Sequence, residues 1–328
     1  MPARAADLSR RLGDGLDRVM AGNEAARLAF LIALLGNGHI LLEGVPGTGK
    51  TLFVRLIAAL LGAPFKRIQF TPDLMPADVV GTTVFNPQTA EFSLRRGPIF
   101  TSLLLADEIN RTPPKTQSAL LEAMEERQVT IDGESQPLPA LFVVCATQNP
   151  IEFEGTYPLP EAQLDRFLVR ARTEYPSETE ERALFARAVA GFDAHDLPGA
   201  GVEQVASIDE VIAAQREVRA VYVADSLQGY VYAIVRATRT SRDLALGASP
   251  RSALGLLLAA QATAAIDGRD FATPDDVKSV APLVLPHRLI VRPEAEVEGL
   301  RAETILDRLL AAVPVPRDAG RPAAPGPA

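Results

Sequence analysis

The chain has 328 residues and a formal net charge of −8, with 47% hydrophobic and 23% charged residues, which fits about two globular domains and excludes a disordered chain. The acidic balance excludes a general electrostatic attraction to nucleic acid or anionic lipid. Cys145 is the single cysteine, so no internal disulfide is available and a reducing, cytoplasmic setting is expected; it lies in the apolar run 141–146 and reads as an inert core residue.

No apolar core follows the charged residues 1–11, so no signal peptide is expected. The longest apolar stretches, 28–35 and 253–266, are too short for a bilayer, so no membrane insertion is expected. His39, His195 and His287 are far apart, show no metal-ligand spacing, and read as structural.

In chain order, residues 8–36 read as two helices broken at Gly22-Asn23. Gly36-Asn37-Gly38 turns the chain into an apolar strand, Ile40-Leu41-Leu42. There follows Gly44-Val45-Pro46-Gly47-Thr48-Gly49-Lys50-Thr51, then an apolar helix over 52–61. This fits the P-loop pattern G-x-x-x-x-G-K-[ST] in the context of strand, glycine loop and helix that the motif needs. Glycine lets the backbone wrap a phosphate chain, so that amide N–H groups and the helix N-terminus point inward. Lys50 is expected to bridge the β- and γ-phosphates, and the Thr51 hydroxyl to bind Mg²⁺.

Residues 65–70 alternate as a strand does. Residues 71–97 are broken by Pro72, Pro76, Gly81, Pro87 and Gly97, with a β-hairpin expected around Asn86-Pro87-Gln88-Thr89. The apolar strand Leu103-Leu104-Leu105-Ala106 ends in Asp107-Glu108, which is the Walker B arrangement when it follows a P-loop. Asp107 is expected to hold Mg²⁺ and Glu108 to polarise the attacking water as general base. On its own, such a pair is also what a strand leaving the core looks like.

A helix is expected over 113–126, a hairpin around Asp132-Gly133, and a buried strand over 141–146 leading to Thr147-Gln148-Asn149-Pro150. A short helix over 160–167 and a last strand over 169–173 follow. Alternating strands and helices predict a parallel sheet between helices, with ligands at the carboxyl ends of the strands. The P-loop, Asp107-Glu108 and Asn149 all fall there. Tyr175-Pro176-Ser177 marks a boundary, after which helices are expected over 178–190, 207–221, 227–239, 250–266, 273–285 and 293–312, with a loop over 191–201. Ser177 with Glu180 makes a capping box, and Thr273-Pro274 an N-cap with proline at the first helical position. The expected division is an α/β core over 1–175, a smaller all-α lid over 176–313, and a disordered Pro/Ala-rich tail over 314–328.

These strings resemble the AAA+ ATPases, and within them the MoxR family, over roughly residues 12–312. The resemblance is carried by residues 38–47, by Gln69-Phe70-Thr71-Pro72-Asp73-Leu74, by Ala146-Thr147-Gln148-Asn149-Pro150, by residues 160–167 and by Gly247-Ala248-Ser249-Pro250-Arg251. Gly268-Arg269-Asp270 and His287-Arg288-Leu289 also match its lid. The resemblance implies that Asn149 is sensor 1, orienting the attacking water. It implies that Arg166 is an arginine finger supplied to a neighbouring subunit. Arg251 would be the sensor 2 arginine, acting in its own subunit or across the interface. The ordinary alternatives are a turn-forming Asn149, an Arg166 paired with Asp165 or another nearby acid, and an Arg251 that serves the helix start. Gln69 reads as a solvent-facing strand residue; the alternative is that it holds Glu108 inactive until a partner binds. The two hairpins resemble the helix-2 insert and the pre-sensor-1 hairpin, and neither tip carries the basic, aromatic-rich patch of a nucleic-acid site.

The resemblance further implies an ATP- and Mg²⁺-dependent ATPase in a homo-oligomeric ring, expected to be hexameric. It would remodel or mature a protein client of unspecified identity, with a von Willebrand factor A domain protein as partner. Alternatives are a chelatase-type motor subunit, a nucleic-acid-associated motor, and an ATP-gated scaffold with little turnover.

Overall fold

The computed structural model describes residues 3–20, 22, 24–45, 47–88, 90–149, 155–173 and 175–316. Pro46, Thr89 and Pro150 lie outside the described residues, as do Asn23 of the expected helix break and residues 317–328 of the expected tail.

Two N-terminal helices, α1 (Ala3–Val19) and α2 (Glu24–Leu35), lead into β1 (Ile40–Gly44) and the helix after the P-loop, α3 (Lys50–Leu61). Strand β2 (Phe65–Gln69) is followed by a helix of one turn, α4 (Pro76–Val80), and a hairpin of β3 (Gly81–Asn86) and β4 (Glu91–Arg96). Next come β5 (Leu103–Asp107), α5 (Pro114–Glu126), a second hairpin of β6 (Gln128–Ile131) and β7 (Glu134–Pro137), and β8 (Val143–Gln148). The short α6 (Glu161–Leu164) and β9 (Val169–Thr173) complete this part. In the second hairpin Asp132 and Gly133 have φ of 49° and 85°, the positive values that a two-residue turn between strands needs.

Five strands form one parallel sheet in the order β2-β5-β8-β1-β9. Its central strands β1, β5 and β8 are buried on both faces, as their apolar sequences require, while the edge strand β2 exposes Lys66, Arg67 and Gln69. Ile40, Leu42, Leu103, Leu105, Val143 and Cys145 enter one hydrophobic core; Leu41, Leu104, Ala106, Val144 and Ala146 enter the other. This period-two division packs α1, α2 and α3 on one face and α5 on the other. Burial raises the Cys145 thiol pKa, in keeping with an inert core cysteine.

The C-terminal part is helical: α7 (Glu178–Val189), α8 (Ile208–Arg219), α9 (Asp225–Thr240), α10 (Pro250–Ile266), α11 (Pro274–Val284), α12 (Pro293–Val297) and α13 (Ala302–Ala312). Ser177 caps α7 and Thr273 caps α11, each through a reciprocal capping box. Helices α8 to α11 share the core of α1 and α2, and Gln215 Nε2 donates to the Leu34 carbonyl at 2.7 Å.

Four sequence expectations change. The expected 293–312 helix is two helices, because the chain turns at Gly299 with φ of 81°. The helix expected over 160–167 is one turn, closing at Asp165. The expected all-α region carries a ribbon, β10 (Leu244–Leu246) antiparallel to β11 (Ile290–Val291). Helix α4 occupies a stretch read as irregular, with Pro76 at its first position. Among the described residues, no helix is long and apolar enough to cross a membrane.

Candidate functional site

A cleft of about 440 Å³ opens at the carboxyl ends of β1, β5 and β8. Gly44, Gly47, Thr48, Gly49, Lys50 and Thr51 line one side, and Asp107, Glu108, Thr147 and Asn149 the other. Gly47 and Gly49 have φ of 82° and 79°, the left-handed values that curl the loop. Gly44 is required for another reason: a Cβ there would sit 2.1 Å from Thr173 Oγ1. Helix α3 starts at Gly49 with no side-chain cap, so its first amides point into the cleft without a protein acceptor from the cap residue.

Lys50 Nζ donates to the carbonyls of Gly44 at 2.9 Å and Val45 at 2.8 Å. Burial lowers its pKa, and the charges of Asp107 and Glu108 work against that shift. Thr48, also buried, donates to the Val45 carbonyl at 3.2 Å.

Asp107 and Glu108 are held from two sides. Thr147 Oγ1 donates to Asp107 Oδ1 at 2.6 Å and accepts from the Glu108 amide at 2.9 Å. Glu108 has φ of 58° and ψ of 48°, a left-handed conformation that costs about 1 kcal/mol for a residue with a side chain. That corner turns the chain out of β5 at the mouth of the cleft. From β2, Arg67 Nη2 donates to Asp107 Oδ2 at 2.6 Å and to Gln69 Oε1 at 2.6 Å. Gln69 Nε2 in turn donates to Glu108 Oε2 at 2.8 Å, and Arg111 Nε lies 3.0 Å from the same oxygen. Gln69 is exposed, as read from the sequence, yet it also makes the contact with Glu108 that was the alternative reading.

A threonine hydroxyl and a carboxylate, beside a loop shaped for phosphate, are the hard oxygen donors that suit Mg²⁺ shared with a nucleotide. Among the described residues no group of three or more His, Cys, Asp or Glu is arranged to hold a metal by itself.

Arg166 and Arg251 line a second cleft of about 550 Å³, beside Gly38, His39 and Leu168. Those residues precede β1 and β9, so this cleft is at the amino ends of the strands. The five residues of β1 separate the two clefts by roughly 16 Å of strand. Here Glu125 accepts a hydrogen bond from Arg251 Nη2 and lies 3.9 Å from Arg166 Nε. Arg166 is thus paired with a nearby acid; Asp165 is engaged elsewhere, by Ser249 and Arg288. The start of α10 is capped by Ser249, which leaves the Arg251 side chain free of that task.

Two of the three histidines are structural. His39 Nδ1 accepts from the Val144 amide at 3.0 Å and its Nε2 faces the Met124 carbonyl at 3.2 Å; His287 Nε2 faces the Phe167 carbonyl at 3.1 Å. His195 is exposed at the rim of the first cleft, so burial does not account for it. Sequence reasoning assigned no role to Arg67, Thr147 or Glu125. The alternation of Arg67 and Gln69 on a strand ending level with Asp107 was the available signal for the first; Glu125 carried none.

A family profile described as "ATPase family associated with various cellular activities (AAA)" matches residues 39–169, and one described as "AAA lid domain" matches residues 236–309. The chain is 50% identical to the uncharacterized protein YeaC of Bacillus subtilis, covering 94% of this chain and 96% of that protein. It is 43% identical to the chaperone MoxR1 of Mycobacterium tuberculosis, covering 92% and 80%. A crystal structure of a Cytophaga hutchinsonii protein, described as a candidate ATPase, superposes with a TM-score of 0.87 at 38% identity, covering 96% of this chain and 98% of that one.

Proposed function

The chain belongs to the MoxR family of AAA ATPases, and on that premise we propose that it hydrolyses ATP with Mg²⁺ in a ring of identical subunits and remodels or matures a protein client. The observation that carries the reading is the separation of the two clefts. The nucleotide-binding groups stand at the carboxyl ends of the sheet, while Arg166 and Arg251 stand at the amino ends. A head-to-tail arrangement that brings one subunit's amino-end face onto the next subunit's carboxyl-end cleft completes the site, and repetition of that contact closes a ring.

In this reading the P-loop amides and Lys50 hold the phosphates. Thr51 and Asp107 would hold Mg²⁺, which supplies charge neutralisation at the β- and γ-phosphate oxygens. Glu108 accepts a proton from the attacking water and Asn149 orients that water. Arg166 and Arg251 from the neighbouring subunit neutralise charge on the transferring phosphoryl group; an arginine in this role is worth about 10³–10⁵ in rate in related NTPases. The mechanism is positioning and electrostatics, with no covalent intermediate.

The chaperone-like client role is supported by the name of the 43%-identical relative, and the expected von Willebrand factor A partner by the family resemblance. The test is ATP hydrolysis per subunit as protein concentration rises with Mg²⁺ present. Specific activity that climbs with assembly, followed in parallel by sedimentation, supports a site completed between subunits. A rate already full in a verified monomer refutes it.

A further inference from the structure

The finger and the lid are clasped together by a small, partly buried network at the amino ends of the sheet. Asp165, at the turn that closes α6, accepts from Ser249 Oγ, the N-cap of α10, at 2.9 Å and from Ser252 Oγ, in its first turn, at 3.4 Å. Arg288 Nε lies 3.1 Å from Asp165 Oδ1, with the Arg288 side chain only 3% exposed. Its Nη2 donates onward to the Phe167 carbonyl at 2.7 Å and the Asp165 carbonyl at 3.3 Å. His287 Nε2 faces the same Phe167 carbonyl at 3.1 Å.

Three stretches remote in sequence therefore meet in one body: 165–167, 249–252 and 287–288. The first carries Arg166 and the second Arg251. A buried guanidinium needs its counter-charge and its acceptors. Burial pushes the Arg288 pKa down to about 10 while Asp165 opposes that shift, so the two depend on each other. Neither Asp165 nor Arg288 lines the nucleotide cleft of its own chain.

We propose that Asp165, braced by Arg288 and Ser249, is a positioning residue: it locks the arginine-bearing turn to the start of α10, so that Arg166 and Arg251 are presented to the neighbouring nucleotide as one rigid pair. This rests on the reading above that both arginines act across the subunit contact. Glu125, which meets both side chains, sets their spacing in the free face; Asp165 fixes the backbone beneath them.

The test uses mixed rings of the full chain. Lys50→Ala subunits cannot hold nucleotide but still offer their arginines; Arg166→Ala subunits hold nucleotide but offer an incomplete pair. Mixing these two should restore hydrolysis. Replacing the donor by Lys50→Ala/Asp165→Asn should lower the restored kcat about 100-fold, the order of loss that a misplacement of about 1 Å produces. With Asp165→Asn as the acceptor and Lys50→Ala as the donor, hydrolysis should return, because its own P-loop is intact. Assembly and binding of a fluorescent ADP analogue are checked first, and Ser249→Ala replaces Asp165→Asn in the same scheme if the latter does not fold.

The asymmetry is the readout that general destabilisation would not produce. A donor carrying the Asp165 substitution that restores as well as Lys50→Ala alone would overturn the proposal. So would a folded Asp165→Asn acceptor that cannot be restored. Failure of the Lys50→Ala and Arg166→Ala mixture itself would overturn the action of the arginines in trans, and this inference with it.

Discussion

Gln69→Ala should raise the basal rate of ATP hydrolysis. The side chain donates one hydrogen bond, 2.8 Å long, to Glu108 Oε2, and that oxygen is where a general base would receive the proton. A hydrogen bond to a charged group contributes about 1.5–3 kcal/mol when buried. Glu108 is 28% exposed and Arg111 keeps its 3.0 Å contact with the same oxygen, so the loss is discounted to about 1 kcal/mol. At 1.36 kcal/mol per decade, that is about a fivefold rise in kcat. The assay is steady-state hydrolysis without other proteins at saturating Mg²⁺, with KM for ATP expected within about twofold of the parent, since no phosphate-binding group is touched. Arg67 orients the Gln69 amide through its 2.6 Å bond to Oε1, so combining the change with Arg67→Ala should add less than the sum of the two. A fall in kcat would refute the reasoning, because it would mean that the bond to Gln69 aims Glu108 at the water instead of restraining it.

Lys50→Ala should abolish measurable binding of a fluorescent ATP analogue, since it removes the cleft's ammonium group; retained affinity would exclude Lys50 as a phosphate ligand. Glu108→Gln should keep nucleotide affinity but lower turnover by about 10²–10⁴-fold, and turnover at the parent rate would remove it as the base. Acid should destabilise the fold before carboxylates titrate. His39 is buried with its pKa lowered to about 3 by desolvation, and burial lowers that of His287 well below its usual value. Between the unfolded histidine value of about 6.5 and these folded values, the unfolded chain binds the protons, so stability is lost as pH falls. From pH 7 to 5.5 the loss is roughly 1 kcal/mol per histidine, read by urea unfolding at the two pH values; equal midpoints would contradict their burial in the neutral form.

What was legible in the sequence was whatever is local. A glycine loop declares its own curvature, and residues 44–51 needed no tertiary information. The strands around Leu41, Leu104 and Val144 announced themselves as apolar runs because the sheet is covered on both faces. Where the reading fell short, the determinant was remote. The ribbon of Leu244–Leu246 with Ile290–Val291 is too short to leave a pattern, and exists because two distant segments meet. Gly299 broke an amphipathic pattern that continues on both sides of it, so periodicity alone joined two helices into one. Gln69 looked solvent-facing and is; its second role depends on Asp107 standing beside it in register, which only strand pairing reveals.

The candidate site shows the same limit at a larger scale. Lys50, Asp107 and Asn149 were predicted to converge because carboxyl ends of parallel strands share one edge, and one cleft contains all three. The same rule, read in reverse, bears on the arginines. Arg166 precedes β9, so its turn belongs to the amino edge whatever its side chain does. Arg251 follows no strand of the sheet, and so its edge was not readable from order alone. It is carried to the amino edge by Ser249 and Ser252 bonding Asp165, the residue adjacent to Arg166. Arg251 at that edge stands a full strand length from its own P-loop, which is why the proposed function gives it a neighbour's phosphate as its target. If the proposed ring is right, the two arginines act at one interface together, and loss of either should weaken coupling between subunits before it weakens nucleotide binding within one.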